Sequence, residues 1–599
     1  MPYRLLLSCL FFLSLPVTLA AQPIGTTDLT NVTPDDGLYR RLLGSVGNGS
    51  SGVPVAGGFD MDKDGINDYA MAAMRASPQN RFYAGQIFLT FGDNQAIGVI
   101  DTAGLDPRVL KIHGDQAQEN AGSEIWMADV TGDGFGELII CRQNYSPDQD
   151  RVGAGALTLI FADEALRTMA ASGQVLDLRS PPENISILNI VGAHAYSRLC
   201  LWARNGDVTG DGTDDLAIGA DRELAGEIED TGAVYLVRGG EWLKTADDID
   251  LSGFGTVAAG NIARIRPRVI GSDTDTSHYH FGATLQLADL DGNNRAEVIA
   301  AAALNRSGAS LSPAGGANHP GGGPGSGGTA HGTVFIAWDD NFTGTWIPAL
   351  DIVVDEGIGA YSIINGASNS GQNPSAINND FGEEILGGLD YDNNDSIDLF
   401  IGDLTADGYA STVRSNAGTG HVIYDADVNL KGKEIELDSP PQGFAMATFL
   451  GPVVGAIAGD TALHGDFNGD GIADLAFSSP MDGPNGVINA GTLHIVLGKN
   501  GQWPVFSDLQ PDNYPSSADV QIHEIYGGYG QGGTDDGDIL CYSAASADMT
   551  NDGIIDLIVN EMKGDGSSVA DVGNLLIINS RVLFGEIPIF KDGFEQLSP

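Results

Sequence analysis

One nine-residue pattern, D-x-[DNT]-x-[DN]-x-x-x-[DE], recurs seven times and constrains this chain more than any other feature. The copies begin at Asp60, Asp129, Asp207, Asp289, Asp390, Asp466 and Asp548, spaced 69 to 101 residues apart. Self-similarity at a long period makes each repeat one supersecondary unit that cannot bury both faces alone. The expected architecture is therefore a stack of like units, not a string of unrelated domains.

The pattern has a chemistry. Oxygen-bearing side chains at positions 1, 3, 5 and 9, with a backbone carbonyl at position 7, can surround a hard cation that takes six to eight oxygens. The candidate ligands are Asp60, Asp62, Asp64, Ile66 and Asp68 in the first copy, and Asp129, Thr131, Asp133, Phe135 and Glu137 in the second. The third and fourth offer Asp207, Thr209, Asp211, Thr213 and Asp215, then Asp289, Asp291, Asn293, Arg295 and Glu297. The fifth offers Asp390, Asp392, Asn394, Ser396 and Asp398, and the sixth Asp466, Asn468, Asp470, Ile472 and Asp474. The seventh offers Asp548, Thr550, Asp552, Ile554 and Asp556. Up to seven Ca²⁺ ions are expected, because Mg²⁺ demands a tighter octahedron and keeps its waters, while Zn²⁺ prefers His and Cys. Gly at position 6 permits the sharp turn in five copies; the fourth and fifth carry Asn294 and Asp395, which tolerate a left-handed backbone better than most residues. Those two loops depart furthest from the template.

An EF-hand is excluded, since its loop needs a bidentate Glu at position 12 between two helices. Position 12 is Met71 in the first copy, Phe477 in the sixth and Val559 in the seventh. Each loop instead opens onto an apolar run of strand length, such as DYAMAAM from Asp68 or DLIVNEM from Asp556. A Gly-led apolar run follows, and in five of the seven copies it starts 25 or 26 residues after the first loop Asp. The exceptions carry insertions, one of them a Gly/Ser/Pro tract between Asn305 and Ala330. With a further extended segment, each repeat offers about four short strands, and such units stack radially. The fold class expected is all-β, a seven-bladed β-propeller with calcium-binding loops over 22–588, after a signal peptide at 1–21 and before a tail at 589–599. The segment at 26–32 is expected to close the ring by completing the last blade beside 573–578.

The acidic loops, the run DLAIGA at 215–220, the Phe-Gly pairs at Phe281–Gly282 and Phe381–Gly382, and GAVYL at 232–236 resemble the FG-GAP repeats of integrin α-subunit N-terminal propellers and their secreted bacterial relatives. The resemblance covers nearly the whole mature chain. It implies calcium in the loop between the first two strands of a blade, on the lower face, with partner binding usually on the opposite face. Most copies lack the Phe-Gly pair and none keeps an intact Gly-Ala-Pro, so the resemblance bears on the fold more than on any ligand.

The amino terminus carries Arg4, an apolar run from Leu5 to Leu19 broken by Pro16, and the small residues Ala20 and Ala21, the layout of a secretory signal peptide. Export to the medium or the cell surface is expected, without a transmembrane span. A formal charge of −51 removes the basic footprint that a nucleic-acid partner requires. Beyond Cys9, the odd set Cys141, Cys200 and Cys541 has no CxxC spacing, and Cys200 and Cys541 each precede a loop Asp by seven residues, so packing roles are expected in place of pairing.

No HExxH, GxSxG or P-loop motif occurs. Glu383 and Glu384 form an acid pair of the kind glycoside hydrolysis uses, but a chain with 80 acids supplies such pairs by composition, and a solvated face is expected. His278 and His280 share one side of a strand and are expected to be core or channel residues. Trp242, Trp346 and Trp503 recur at similar places in three repeats, which favours packing over sugar stacking. The function expected is an interaction or adhesion module for an extracellular protein or polysaccharide. A polysaccharide-acting enzyme and a carbohydrate-binding lectin on the same scaffold remain the alternatives, and the insertions at 305–330 and 402–418 are where recognition is expected.

Overall fold

The computed structural model describes residues 23–585 apart from 34–35, 48–50, 94, 96, 225–230, 255–259, 268–279, 303–329, 343–349, 355–360, 368–377, 380, 410–411, 438, 529–536 and 568. The segments expected to be a signal peptide and a tail, and the Gly-rich insertion over 303–329, lie outside the described residues.

Each acidic loop joins the first two strands of a blade. In the first blade, Ser51–Phe59, Asp68–Ala73, Gln86–Thr90 and Val109–His113 run antiparallel from the axis outward. The second and third strands are buried along their whole length in all seven blades. A strand covered on both faces has no polar side to show, which is why these segments read as continuous apolar runs and not as alternation. The innermost strands touch in sequence around the axis, and Ser51–Phe59 of the first blade meets Leu540–Ala547 of the seventh, so the ring is closed. The core is divided accordingly into seven apolar clusters, one between each pair of neighbouring blades.

The Gly that leads each third strand is required by this packing. Gly85 has φ +88°, and a Cβ there would lie 2.0 Å from the Ala121 carbonyl oxygen; at Gly155, φ +81°, the clash would be with Leu199 at 2.4 Å. Both neighbours sit beside the entry to the next innermost strand.

Two expectations on strands are corrected. Every blade has five strands, not four, because the link between the third and fourth strands of one blade adds a short parallel strand to the outer edge of the preceding blade. Val175–Asp177 does this for the first blade, Ile249–Asp250 for the second and Gly98–Asp101 for the seventh. The ring does close through the amino terminus, but by Tyr39–Leu43, which pairs with Asn574–Ile578 in the seventh blade. The segment at 26–32 contributes Gly25–Asp28 instead, the outer strand of the sixth blade against Ile522–Tyr526.

The cysteine expectation is also corrected. Cys141, on the second strand of the second blade, forms a disulfide with Cys200 at the entry to the third blade, with Cα atoms 5.1 Å apart. Cys541 occupies the place of Cys200 in the seventh blade and is buried and free. The sixth-blade residue in the register of Cys141, four after the strand-opening acid, is Ser478, so Cys541 has no thiol to meet.

Candidate functional site

The seven acidic loops share one backbone solution. Position 1 organises it: the Asp60 carboxylate accepts from the N–H groups of Asp64 and Gly65, and Asp390 from those of Asn394 and Asp395. Position 6 is left-handed in every copy, including Asn294 (φ 64°) and Asp395 (φ 66°). Position 4 is left-handed as well, at Gly132, Gly210, Gly292, Gly469, Asn393, Asn551 and Lys63. The Gly/Asn preference at position 4 was visible in six of the seven copies and was the missed signal. Position 7 donates its N–H to position 5, as from Ile66 to Asp64, Phe135 to Asp133, Thr213 to Asp211, Ser396 to Asn394, Ile472 to Asp470 and Ile554 to Asp552.

Position 9 opens the second strand and is buried in every copy. The Asp68 carboxylate accepts from the N–H groups of Met61 and Gly92, at 2.8 Å each, and Asp474 and Asp556 are held the same way. Burial in a cluster of like charge pushes Asp68, Glu137, Glu297 and Asp398 up to about 8, Asp474 to about 7, and Asp215 and Asp556 to about 6.

Three loops bring three carboxylates within 4.8 Å of one another: Asp60, Asp62 and Asp68; Asp289, Asp291 and Glu297; and Asp390, Asp392 and Asp398. Two of these are the loops that depart furthest from the template. One oxygen each of Asp291 and Asp392 is buried without a hydrogen-bond partner. An all-oxygen cluster with an orphaned carboxylate oxygen fits a hard divalent cation. In the other four loops position 3 is neutral; Thr131 and Thr550 donate to the position-9 carboxyl, Asn468 to Asp470, and the Thr209 hydroxyl is buried without a partner.

Cationic side chains from other elements reach most of the loops. Arg167 lies 2.7 Å from Asp62, Lys244 2.6 Å from Asp133, Arg238 3.3 Å from Asp211, Lys431 2.8 Å from Asp291 and Arg581 2.8 Å from Asp552. Among the described residues no ion pair involves the fifth or sixth loop.

The opposite face is formed by the links between second and third strands and by those leading to the next blade. These loops are stitched to each other by a recurring set of backbone bonds. Gln118, Asn120 and Ala121 donate to Phe82, Tyr83 and Ala84, and Tyr196, Arg198 and Leu199 to Val152, Gly153 and Ala154. The fifth and sixth blades repeat the set at 415–417 with 455–458 and at 488–490 with 537–540. On this rigid frame Phe82 is 53% exposed, Tyr196 64%, Ile488 66% and Val454 70%. Phe82 and Tyr83 stack at 3.9 Å.

The axis itself holds a cavity of about 430 Å³ lined by residues of all seven innermost strands. Arg204 stands between the rings of Trp126 and Trp202, 4.2 and 4.4 Å from their centroids, and pairs with Glu124 at 3.0 Å. Glu384 lines the cavity and is 7% exposed, so the solvated face expected for it is corrected. Burial, with Asp460, Glu124 and Glu383 nearby, raises the Glu384 carboxyl far above the usual range, and burial with Glu383 does the same to Asp460. The charge of Asp460, then burial, pushes Tyr542 up to about 12.

Of the remaining sequence candidates, His280 bonds the buried Asp221, which also pairs with Arg198, while His278 lies outside the described residues. Trp242 and Trp503 pack into inter-blade clusters and donate to the carbonyls of Arg238 and Leu497, in keeping with packing; Trp346 lies outside the described residues. No described helix is long and apolar enough to cross a membrane.

Residues 203–237, the first three strands and acidic loop of the third blade, match the FG-GAP repeat family model. An FG-GAP repeat within a closed seven-bladed ring fits an integrin-α-like propeller. No curated protein matches the chain. Among solved structures, the exotype rhamnogalacturonan lyase YesX is 13% identical, with 88% of this chain and 72% of that chain covered and a TM-score of 0.35. Rhamnogalacturonan lyase PL11 of Bacillus licheniformis is 12% identical, with 90% and 75% covered and a TM-score of 0.33. Rhamnogalacturonan lyase YesW is 11% identical, with 90% and 91% covered and a TM-score of 0.30.

Proposed function

We propose that this FG-GAP propeller is an exported, calcium-binding interaction module that holds an extracellular protein partner on the face opposite its acidic loops. The observation that carries the reading is the recurrence of exposed apolar side chains on the stitched loops of that face, at Phe82, Val152, Tyr196, Val454 and Ile488. Apolar groups kept in water on a rigid frame mark a contact surface. Val152, Val454 and Ile488 have no ring to stack on a sugar, which favours a protein over a polysaccharide. The signal-like amino terminus and the Cys141–Cys200 disulfide support export, because such bonds persist in oxidising compartments. Calcium in the loops would hold the far side of each blade, with Asp60, Asp289, Asp390 and their partners as ligands.

The test is retention of the labelled protein on intact cells and on immobilised polysaccharide, in millimolar calcium. Replacing Phe82, Tyr196 and Ile488 together by Ser should abolish retention on protease-sensitive sites with the melting temperature unchanged. Replacing Val428 and Val582, exposed on the acidic-loop side, should leave retention intact. Retention unaffected by the first set, or confined to polysaccharide, would overturn the reading.

A further inference from the structure

We propose that the axial cavity is a binding site for a small organic ligand carrying a primary ammonium group, such as an amino sugar or a diamine. Two acids, Glu124 and Glu384, line the cavity against one base that stays charged. Among the described residues Arg204 is the only basic side chain lining the cavity apart from His464, which burial pushes down to about 4 and so keeps neutral. Arg204 is already committed to Glu124 and to the two Trp rings. Of the acids in the wall Glu384 is left over, with Asp460 and Glu383 close enough to act on its charge.

Glu384 is the second and independent observation. Its side chain is more than nine-tenths buried and forms part of the cavity wall, and among the described residues none is seen to hydrogen-bond its carboxyl. A buried acid without a partner costs free energy in either protonation state, and a ligand that bonds it recovers that cost. A bare metal ion does not fit. Among the described residues, three-carboxylate clusters tight enough for one ion occur in the acidic loops and not here. Glu384 must then be served by a ligand with reach, and a cavity of about 430 Å³ has the size of a small-molecule site. An ammonium group supplies the positive charge that would let the buried Glu384 ionise, and the aromatic walls favour an organic cation.

The experiment is calorimetric titration of the calcium-loaded full-length mature protein with glucosamine, putrescine and, as the neutral control, N-acetylglucosamine, followed in parallel by tryptophan fluorescence. Glucosamine or putrescine should bind with a dissociation constant below about 1 mM. The stronger of the two identifies the amino sugar or the diamine as the source of the ammonium. Trp126→Phe should reduce the fluorescence response, and Glu384→Gln should weaken binding at least tenfold without lowering the melting temperature. Glu384→Ala provides the same test should Glu384→Gln not fold. Absence of binding by both amines, equal binding of N-acetylglucosamine, or full affinity in the folded Glu384 variant would overturn the proposal.

Discussion

The first and fifth acidic loops are built from the same parts and stand in different electrostatic states. Each gathers three carboxylates within 4.8 Å, and each has its position-9 acid raised to about 8. In the first, Arg167 reaches from the helix Glu164–Ala171 to within 2.7 Å of Asp62. In the fifth no cation arrives from the described residues, one Asp392 oxygen is buried without a partner among them, and burial among like charges pushes that carboxyl up to about 6. The nine-residue motif therefore fixes the ligand geometry, while a side chain more than a hundred residues away decides how much the ion is needed. On the calcium reading proposed above, the fifth loop should bind the ion more tightly than the first, because an entering ion meets no competitor and relieves an orphaned charge.

The largest effect concerns all the loops together. Sites with dissociation constants near 10⁻⁴ to 10⁻³ M would each contribute about 0.4 to 1.4 kcal/mol at millimolar calcium, so chelation should cost roughly 3 to 10 kcal/mol in total. Thermal melts with and without chelator measure this, and an unchanged melting temperature would remove the basis of the comparison. Next in size is the pH dependence of the chelated protein. The position-9 carboxyls have folded values above their unfolded ones, so the folded state holds the extra protons and ∂ΔG/∂pH is negative between about pH 4 and 8. Without calcium the melting temperature should fall from pH 5 to pH 8. With excess calcium, which takes the deprotonated ligands, that fall should disappear. A chelated protein that melts highest at pH 8 contradicts the assignment.

Two smaller effects separate the loops directly. In chelator, Asp392→Asn removes an uncompensated buried charge and should stabilise by about 1 kcal/mol. Asp62→Asn instead breaks an ion pair whose Arg167 is 37% exposed, and should destabilise by no more than about 1 kcal/mol. Equal signs in chemical denaturation would break the comparison. The smallest effect is Arg167→Gln, expected to raise the calcium affinity of the first loop about threefold and leave the fifth unchanged. Terbium luminescence titrations of single-loop variants would resolve it.

Much of the fold was legible because it repeats. Seven loops, seven Gly-led strands and the left-handed position 6 follow from residues that must recur for each blade to form. What stayed hidden lies between repeats. The outer strands are as short as Ile249–Asp250 and pair with a neighbouring blade, so no local run announces them. Cys141 and Cys200 are 59 residues apart on different blades, and only the ring brings them together. The axial acids were missed for another reason. The innermost strands lose their regular pairing between Ser51 and Val55, Ala121 and Ile125, Phe381 and Ile385, and Leu540 and Ala544. Across such irregularities alternation no longer tells which side chain faces the axis, and Glu384 falls within one of them.

The pairing of Tyr39–Leu43 with Asn574–Ile578 also sets a clock. A ribosome adding about 5 to 20 residues per second needs on the order of half a minute to two minutes to pass from one partner to the other. For most of that interval Gly25–Asp28 has no edge to join and Tyr39–Leu43 can pair only with Gly98–Asp101, so the seventh blade cannot seal against the first. A chain threaded outward through a membrane would thus spend its whole transit as an open arc with apolar surface at its leading end. Its dependence on holding factors should be greatest just before the last strand emerges, and truncation after about residue 570 should yield an unclosed, aggregation-prone product, not a slightly shorter propeller.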